Sequence, residues 1–495
     1  MRFFRSAALL GVLAITLLSL PNRPAPGDGI VYRLRYDLNN PGLVHITLNF
    51  SPANGNDAPL TLIMPRSAPG AYAQCPYDPF VADVKAHSQT GEAVAVQRDE
   101  LGPRWTIGKH GDHVTRVEYV VDVARMEREI FDASATSKIR DGYVGLLGYS
   151  IFAFIDGREN RPIDLQVAAP ETWPVFSTLA PRVPAEVATL KAKAPDYYAL
   201  ADSQITMGPK LQLQTIDGNP PLFVSAYTES EADLPLEGKL ARGALDKVAA
   251  YFGKVPFSNY TVVLEFLRPV SARHEYNFSM EHLSSGTFYL GTDHALTAKS
   301  AGTEKETHRF NYAHHIAHSW IPKHAYGPGY LPFTWEITPV IDTIWFNEGF
   351  GRYVAIAALA DALPEDEAAR YRKEKLDRLR RLTSGAPDIL QRMRLDELSH
   401  VGSFLYADDF RVGINLFSRG ALMAAEMDDR IQTQTNGQKS LRDALRHLMD
   451  WSEQNHRAFR VEELPAIFRE ATGVDTASVL DRWMQPTAPG ASPVH

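Results

Sequence analysis

The chain reads as an α+β multidomain protein: an N-terminal β-sandwich-like domain, then a mainly α-helical domain. Two observations predict this. From residue 31 to about 224, apolar residues alternate with period two; past the acidic stretch 229–237 the apolar spacing becomes that of helices. The third observation is length, since 495 residues at about 150 per domain suit two or three domains.

Composition narrows the function classes. The net charge of −8 argues against a nucleic-acid partner, which normally draws a basic excess. With Cys75 the only cysteine, neither an intramolecular disulfide nor a cysteine-built zinc site can form, so a metal would have to be held by histidines and carboxylates.

The elements follow in order. Arg2 and Arg5 precede a 14-residue apolar run (7–20), and Pro21, Pro24 and Pro26 end it. That is the length of a signal peptide and short for a membrane span. Residues 1–26 are therefore expected to direct export across a bacterial inner membrane, to the periplasm or beyond, leaving Cys75 a free thiol. Ala25 is the only good small residue for cleavage, so an uncleaved anchor is the alternative. Apart from that anchor, no membrane association is expected.

The segments VYRLRYDL, HITLNF, LTLIMP, RVEYVVDV, IDLQVAA and KLQLQTI read as strands of one domain over 30–230. A second domain is expected over 236–484: a helix in LEGKLARGALDKVAAYFG, strands at 259–266 and 286–290, then helices from about 304. The end, 485–495, has the composition of a disordered tail. Seven cations between Arg370 and Arg381 crowd one helix. Glu374 with Arg378 and Asp377 with Arg381 stand at i,i+4, the pattern of a solvated, ion-paired face.

The chemistry concentrates in two segments. TEKETHRFNYAHHIAHSWIP predicts a helix capped by Thr303 and Glu306 and stopped by Pro322, packed through Phe310, Ala313, Ala317 and Trp320. His314 and His318 are four apart and share one face. Two imidazoles so placed can hold one zinc ion, although such a pair alone is a weak signal. TPVIDTIWFNEGFGRYVAIAAL predicts a second, buried helix with Thr338 as N-cap and Pro339 at its first position. Glu348 projects from its apolar middle. A metal is one way to compensate a buried carboxylate, and pairing with Arg352 at i+4 is another.

These segments resemble those of the glycyl aminopeptidase family of zinc metallopeptidases, relatives of the alanyl aminopeptidases in the thermolysin-like clan. That family carries H-E-x-x-H-x-W and then W-F-x-E-G-F; here the text is HHIAHSW and WFNEGF, with 30 residues between His318 and Glu348. FSMEHLSSG resembles the exopeptidase segment G-G-x-E-H, and APGAYAQCPYDPFVADVKA the P-G-x-Y segment of the family's β-domain. The resemblance runs from about 30 to 484. It implies a thermolysin-like second domain, Zn2+ on His314, His318 and Glu348, and peptide or protein N-termini as partners, with Glu281 binding the amino terminus.

Two positions depart from the family. His315 stands where the resemblance puts the catalytic Glu, which takes a proton from the attacking water and hands it to the leaving amine; losing a general base typically costs about 10²–10⁴-fold in rate. Phe417, in NLFSRGALMAAEMD, stands where the family's Tyr-x-Lys-Gly motif supplies an oxyanion-stabilising hydroxyl, worth about 10²–10³-fold. Tyr406 could supply a hydroxyl from nearby, or be a packing aromatic; Tyr353 reads as helix packing. Three functions stay open: a catalytically impaired family member that binds zinc and peptides, an active aminopeptidase releasing Gly or Ala, and a metal-free scaffold.

Overall fold

The computed structural model describes residues 29–51, 59–132 and 135–485; the export segment 1–26 and all of the tail except Gln485 lie outside them.

Period-two alternation puts one row of each N-terminal strand inside. Val31, Arg33 and Arg35 of the strand Ile30–Arg35 alternate with Tyr32 and Leu34, which are buried. This strand sits in a seven-stranded sheet, flanked by Leu43–Asn49 (antiparallel) and Ile163–Ala168 (parallel). Outward from those come Val114–Asp122, Val81–Ser88 and Ala93–Val94 on one side and Thr189–Ala194 on the other. A five-stranded sheet centred on Gln204–Met207 and a four-stranded sheet containing Leu60–Ile63 share the same core, into which Tyr32, Leu48, Trp105, Tyr119, Tyr149 and Leu165 project.

A second core belongs to the helical half. Its sheet orders Gln212–Ile216, Leu222–Thr228, Tyr260–Leu267, Ser285–Gly291 and Asn277–Glu281. The first two strands fall before the boundary expected at 230, yet Leu222–Thr228 pairs in parallel with Tyr260–Leu267 and sends Leu222, Val224 and Ala226 into the helical core. Alternation marks a strand and says nothing of its partner. The helices are Leu234–Phe252, Gly302–Ala317, Ile344–Ala360, Glu365–Ser384, the short Asp388–Arg392, Leu395–Leu405 and Phe410–Gln434, followed by Leu441–Asn455, Leu464–Thr472 and Ala477–Met484. Among the described residues no helix is long and apolar enough to cross a membrane.

Three local expectations are corrected. The histidine helix begins at Gly302: Glu304, not Glu306, reaches back to the backbone N–H of Ala301 (2.6 Å). It ends at Ala317, before Pro322, and the chain continues in turns. The glutamate helix begins at Ile344 behind Thr343, while Thr338 donates its hydroxyl to the Ala73 carbonyl (2.9 Å). On the basic helix, Asp377 pairs with Lys373 (2.6 Å) and Arg380 (2.8 Å) rather than Arg381, and Lys375 turns inward to Glu306 (3.5 Å).

Candidate metal centre

The histidine helix is clamped from its outer side. Glu237, buried on the helix Leu234–Phe252, accepts from the Tyr312 hydroxyl (2.8 Å) and lies 3.1 Å from His308 Nδ1. The i,i+4 spacing then points His314 and His318 together toward the glutamate helix, whose residues are all buried except Arg352. That helix lies close against Phe410–Gln434 because two glycines meet. A Cβ at Gly349 would stand 2.5 Å from the Gly420 backbone, and one at Gly420 would run into the Trp345 carbonyl.

The result is a convergence of three donors. His314 Nε2 and His318 Nε2 are 3.4 Å apart, and Glu348 Oε2 lies 3.4 Å from the first and 3.6 Å from the second. Zinc–ligand bonds of about 2.05 Å at tetrahedral angles put donor atoms about 3.3 Å apart, so the triangle has the size of one face of a zinc site. His318 Nδ1 faces the Ile321 carbonyl at 2.8 Å, the outer contact that turns Nε2 inward on a ligating imidazole. His314 Nδ1 is buried without a hydrogen-bond partner. The residues fit a zinc ion.

Electrostatics follow from burial. Burial would raise the Glu348 carboxyl, but His318 and then His314 hold it well below the usual carboxylate range. Burial would lower His318, but Glu281 and Glu348 outweigh it and hold the imidazole up at about 9. His314 is pushed well down by burial and by His318.

His315 is not a fourth ligand in this arrangement. The donors within 4.8 Å of one another are those of His314, His318 and Glu348. His315 Nδ1 lies 2.9 Å from the Asn311 carbonyl, one turn back on its own helix, and its ring meets Phe288 edge-on at 5.4 Å. Burial and His318 lower it to about 4, so it is neutral at pH 7 and its Nδ1–H donates to that carbonyl.

Glu281 ends the strand Asn277–Glu281, buried, with Oε1 unpartnered and the carboxyl pushed up to about 7 by burial against the pull of His318. The strand-connecting loop of the first domain closes over it: a Cβ at Gly70, where φ is +99°, would stand 2.7 Å from Glu281 Oε1. Behind Glu281 lies a cluster the sequence did not reveal. Asp202 Oδ1 is 2.9 Å from His282 Nδ1 and 3.5 Å from Lys323 Nζ, while Oδ2 accepts from the Leu283 N–H (2.7 Å).

The Phe417 ring lies under the Arg352 guanidinium, its centroid 3.8 Å from the guanidinium carbon. Arg352 therefore does not neutralise Glu348 at i+4, and the two histidines do. Tyr406, weighed above as a packing aromatic, brings its hydroxyl to 3.3 Å from Glu348 Oε2 and its ring to 5.3 Å from Tyr72 of the first domain. Tyr72 Oη in turn accepts from Asn347 Nδ2 (3.2 Å). No local motif announces Tyr406, since the end of the helix Leu395–Leu405 alone carries it to the site. Tyr353 is buried and donates to the Asp428 carboxylate, as helix packing requires.

Residues 32–209 match the Peptidase M61 N-terminal domain family. Over 93% of this chain and 76% of the other, the fold is that of an aminopeptidase N family protein from Idiomarina loihiensis, with 18% identity and a TM-score of 0.78. An M1 zinc metallopeptidase from Deinococcus radiodurans, solved as a mutant bound to a Tyr-Ser-Ala substrate, aligns over 94% of this chain and 96% of its own at 15% identity and a TM-score of 0.54. No protein of curated function matches the sequence. The chain thus joins an M61-type N-terminal domain to the multidomain fold of aminopeptidase N proteins.

Proposed function

We propose that this chain is an exported zinc- and peptide-binding relative of the glycyl aminopeptidase-type metallopeptidases whose peptide hydrolysis is impaired. One observation carries the reading: the three donor atoms stand 3.4–3.6 Å apart, while the residue next to the first of them is a neutral imidazole tied to its own helix. His314, His318 and Glu348 would hold zinc, which when bound supplies Lewis-acid polarisation of a peptide carbonyl and activation of water. Glu281, whose Oε1 is buried without a partner beside Gly70, would receive a peptide's amino terminus. What is missing is proton handling, because His315 directs one nitrogen to a carbonyl and Phe417 has no hydroxyl. Export rests on Arg2, Arg5 and the apolar run that follows them.

A second reading, a working aminopeptidase, rests on Tyr406. Its hydroxyl beside Glu348 supplies a donor where Phe417 cannot, and the Nδ1–H of His315 leaves Nε2 as a base. Zinc content and turnover of Gly- and Ala-anilides, compared between wild type and His315→Glu, separate the two. The impaired reading expects wild type at or near background and a gain of at least about tenfold in the variant. Wild type already as fast as His315→Glu would replace it with the second reading, and a chain that retains no zinc after loading would leave only the scaffold.

A further inference from the structure

Arg352 is a cation with no carboxylate in contact. It stands one helical turn, about 5.4 Å, beyond Glu348 on the glutamate helix. Its Nε is buried and has no hydrogen-bond partner. Among the described residues no Asp or Glu oxygen lies within 4.0 Å of the guanidinium, and Glu348, the nearest acid on its own helix, is taken up by His314 and His318. The neighbouring helix adds positive charge rather than relieving it. Burial pulls the Arg352 guanidinium down, Tyr406 and Glu348 act against it without touching it, and Arg378 lowers it further. Lys375, 4.7 Å from the Phe310 ring, has its charge met by Glu306 (3.5 Å).

The guanidinium is nonetheless held in one orientation. It stacks on Phe417 at 3.8 Å and stands 5.6 Å from the Phe310 ring centroid. Stacking uses the flat face of a guanidinium and leaves its N–H edge free for a planar acceptor, the geometry that suits a carboxylate. Phe410 is the exposed neighbour of the Phe417 platform. That ring, 53% exposed, lies 6.1 Å from Phe417 and 5.9 Å from Tyr406. Phe417 thus has a positive role: it is the platform of a charged group beside the metal ligands. An unpaired half-buried guanidinium destabilises a free protein unless a ligand completes it.

We infer that Arg352, seated on Phe417, is a carboxylate subsite. The centre would then take short peptides that present a free carboxylate, from an acidic side chain or from the C-terminus, within about one helical turn of the metal ligands. This rests on the peptide-binding reading above.

The test measures binding of three peptides to the zinc-loaded protein by calorimetry: Gly-Ala-Ala-amide, Gly-Asp-Ala-amide and Gly-Ala-Ala with a free C-terminus. The expected result is that at least one carboxylate-bearing peptide binds about tenfold tighter than the neutral amide, and which one does so identifies the source. Arg352→Gln should abolish that preference and Arg352→Lys should keep part of it. Without any peptide, Arg352→Met should raise the melting temperature, whereas a guanidinium that only packs the core would lower it. Equal binding of all three peptides by wild type would overturn the subsite and leave peptide binding standing. Binding of none would overturn both.

Discussion

Two buried ionic clusters lie side by side in this molecule and are built on opposite terms. In the cluster of Asp202, His282 and Lys323, every charged group has a partner. Asp202 meets His282, the Lys323 ammonium and a backbone N–H, His282 Nε2 lies 3.2 Å from Thr287 Oγ1, and Lys323 Nζ also lies 3.4 Å from the Tyr198 hydroxyl. In the cluster of His314, His318 and Glu348, the donors converge on one point and the surroundings are left open. His314 Nδ1, Glu281 Oε1 and Arg352 Nε are all buried without a partner. A satisfied buried network is a structural joint, and this one fastens the residue after Glu281 to Asp202, the cap of the helix Tyr197–Ala201. An unsatisfied one keeps its capacity for a ligand.

The comparison can be broken most forcefully at the joint. Lys323→Met leaves Asp202 a buried carboxylate with one partner fewer and should destabilise the chain by about 3–5 kcal/mol, read as the shift in urea midpoint at constant slope. A loss under about 1 kcal/mol would mean the cluster is wetter and looser than its contacts imply.

The open cluster should respond to metal instead. Zinc at a hundredfold excess over its dissociation constant should add about 2.7 kcal/mol of stability by mass action, reversed by chelator. Glu348→Gln should lose most of that gain, whereas Lys323→Met should keep it. Equal loss in both variants would make the two clusters one unit.

Acid should sharpen the contrast by a smaller amount. Burial lowers His282 below its ordinary value even though Asp202 raises it, so the unfolded chain takes up a proton first and stability declines as pH falls below about 6.5. Asp202, which burial would raise but Lys323 and His282 hold down, contributes stability that is present above about pH 3.9 and lost as pH falls toward its depressed folded value. His282→Asn should therefore flatten the upper part of the pH–stability curve and, because His282 helps Lys323 hold Asp202 down, also shrink the loss below pH 4. A variant curve parallel to wild type throughout would assign the upper slope to other histidines.

How much of the site was legible depended on sequence distance. His314 and His318 are one turn apart, so their common face follows from helical geometry alone, and the WFNEGF segment brought Glu348 with it. The helix boundaries were harder. Thr303–Glu306 has the pattern of a capping box, yet the helix starts two residues earlier, where Ala301 offers no side-chain cap and only Glu304 reaches back. Asp202, His282 and Lys323 could not be read at all. They are 80 and 121 residues apart in the chain, and a single Asp, His or Lys carries no signal of burial.

By itself the sequence determined the local periods: alternating strands first, amphipathic and buried helices afterwards, the spacing of three zinc-type donors, and the absence of a carboxylate at His315 and of a hydroxyl at Phe417. These are properties of neighbours along the chain, where backbone geometry dictates which side chains share a face. Tertiary structure decided the rest. It assigned Gln212–Ile216 and Leu222–Thr228 to the second sheet, turned Arg352 onto Phe417 instead of Glu348, and brought Tyr406 and Tyr72 over the donors. The physical reason is the same in each case: a strand edge, a guanidinium and a phenol can all be satisfied by many partners, and packing alone chooses among them.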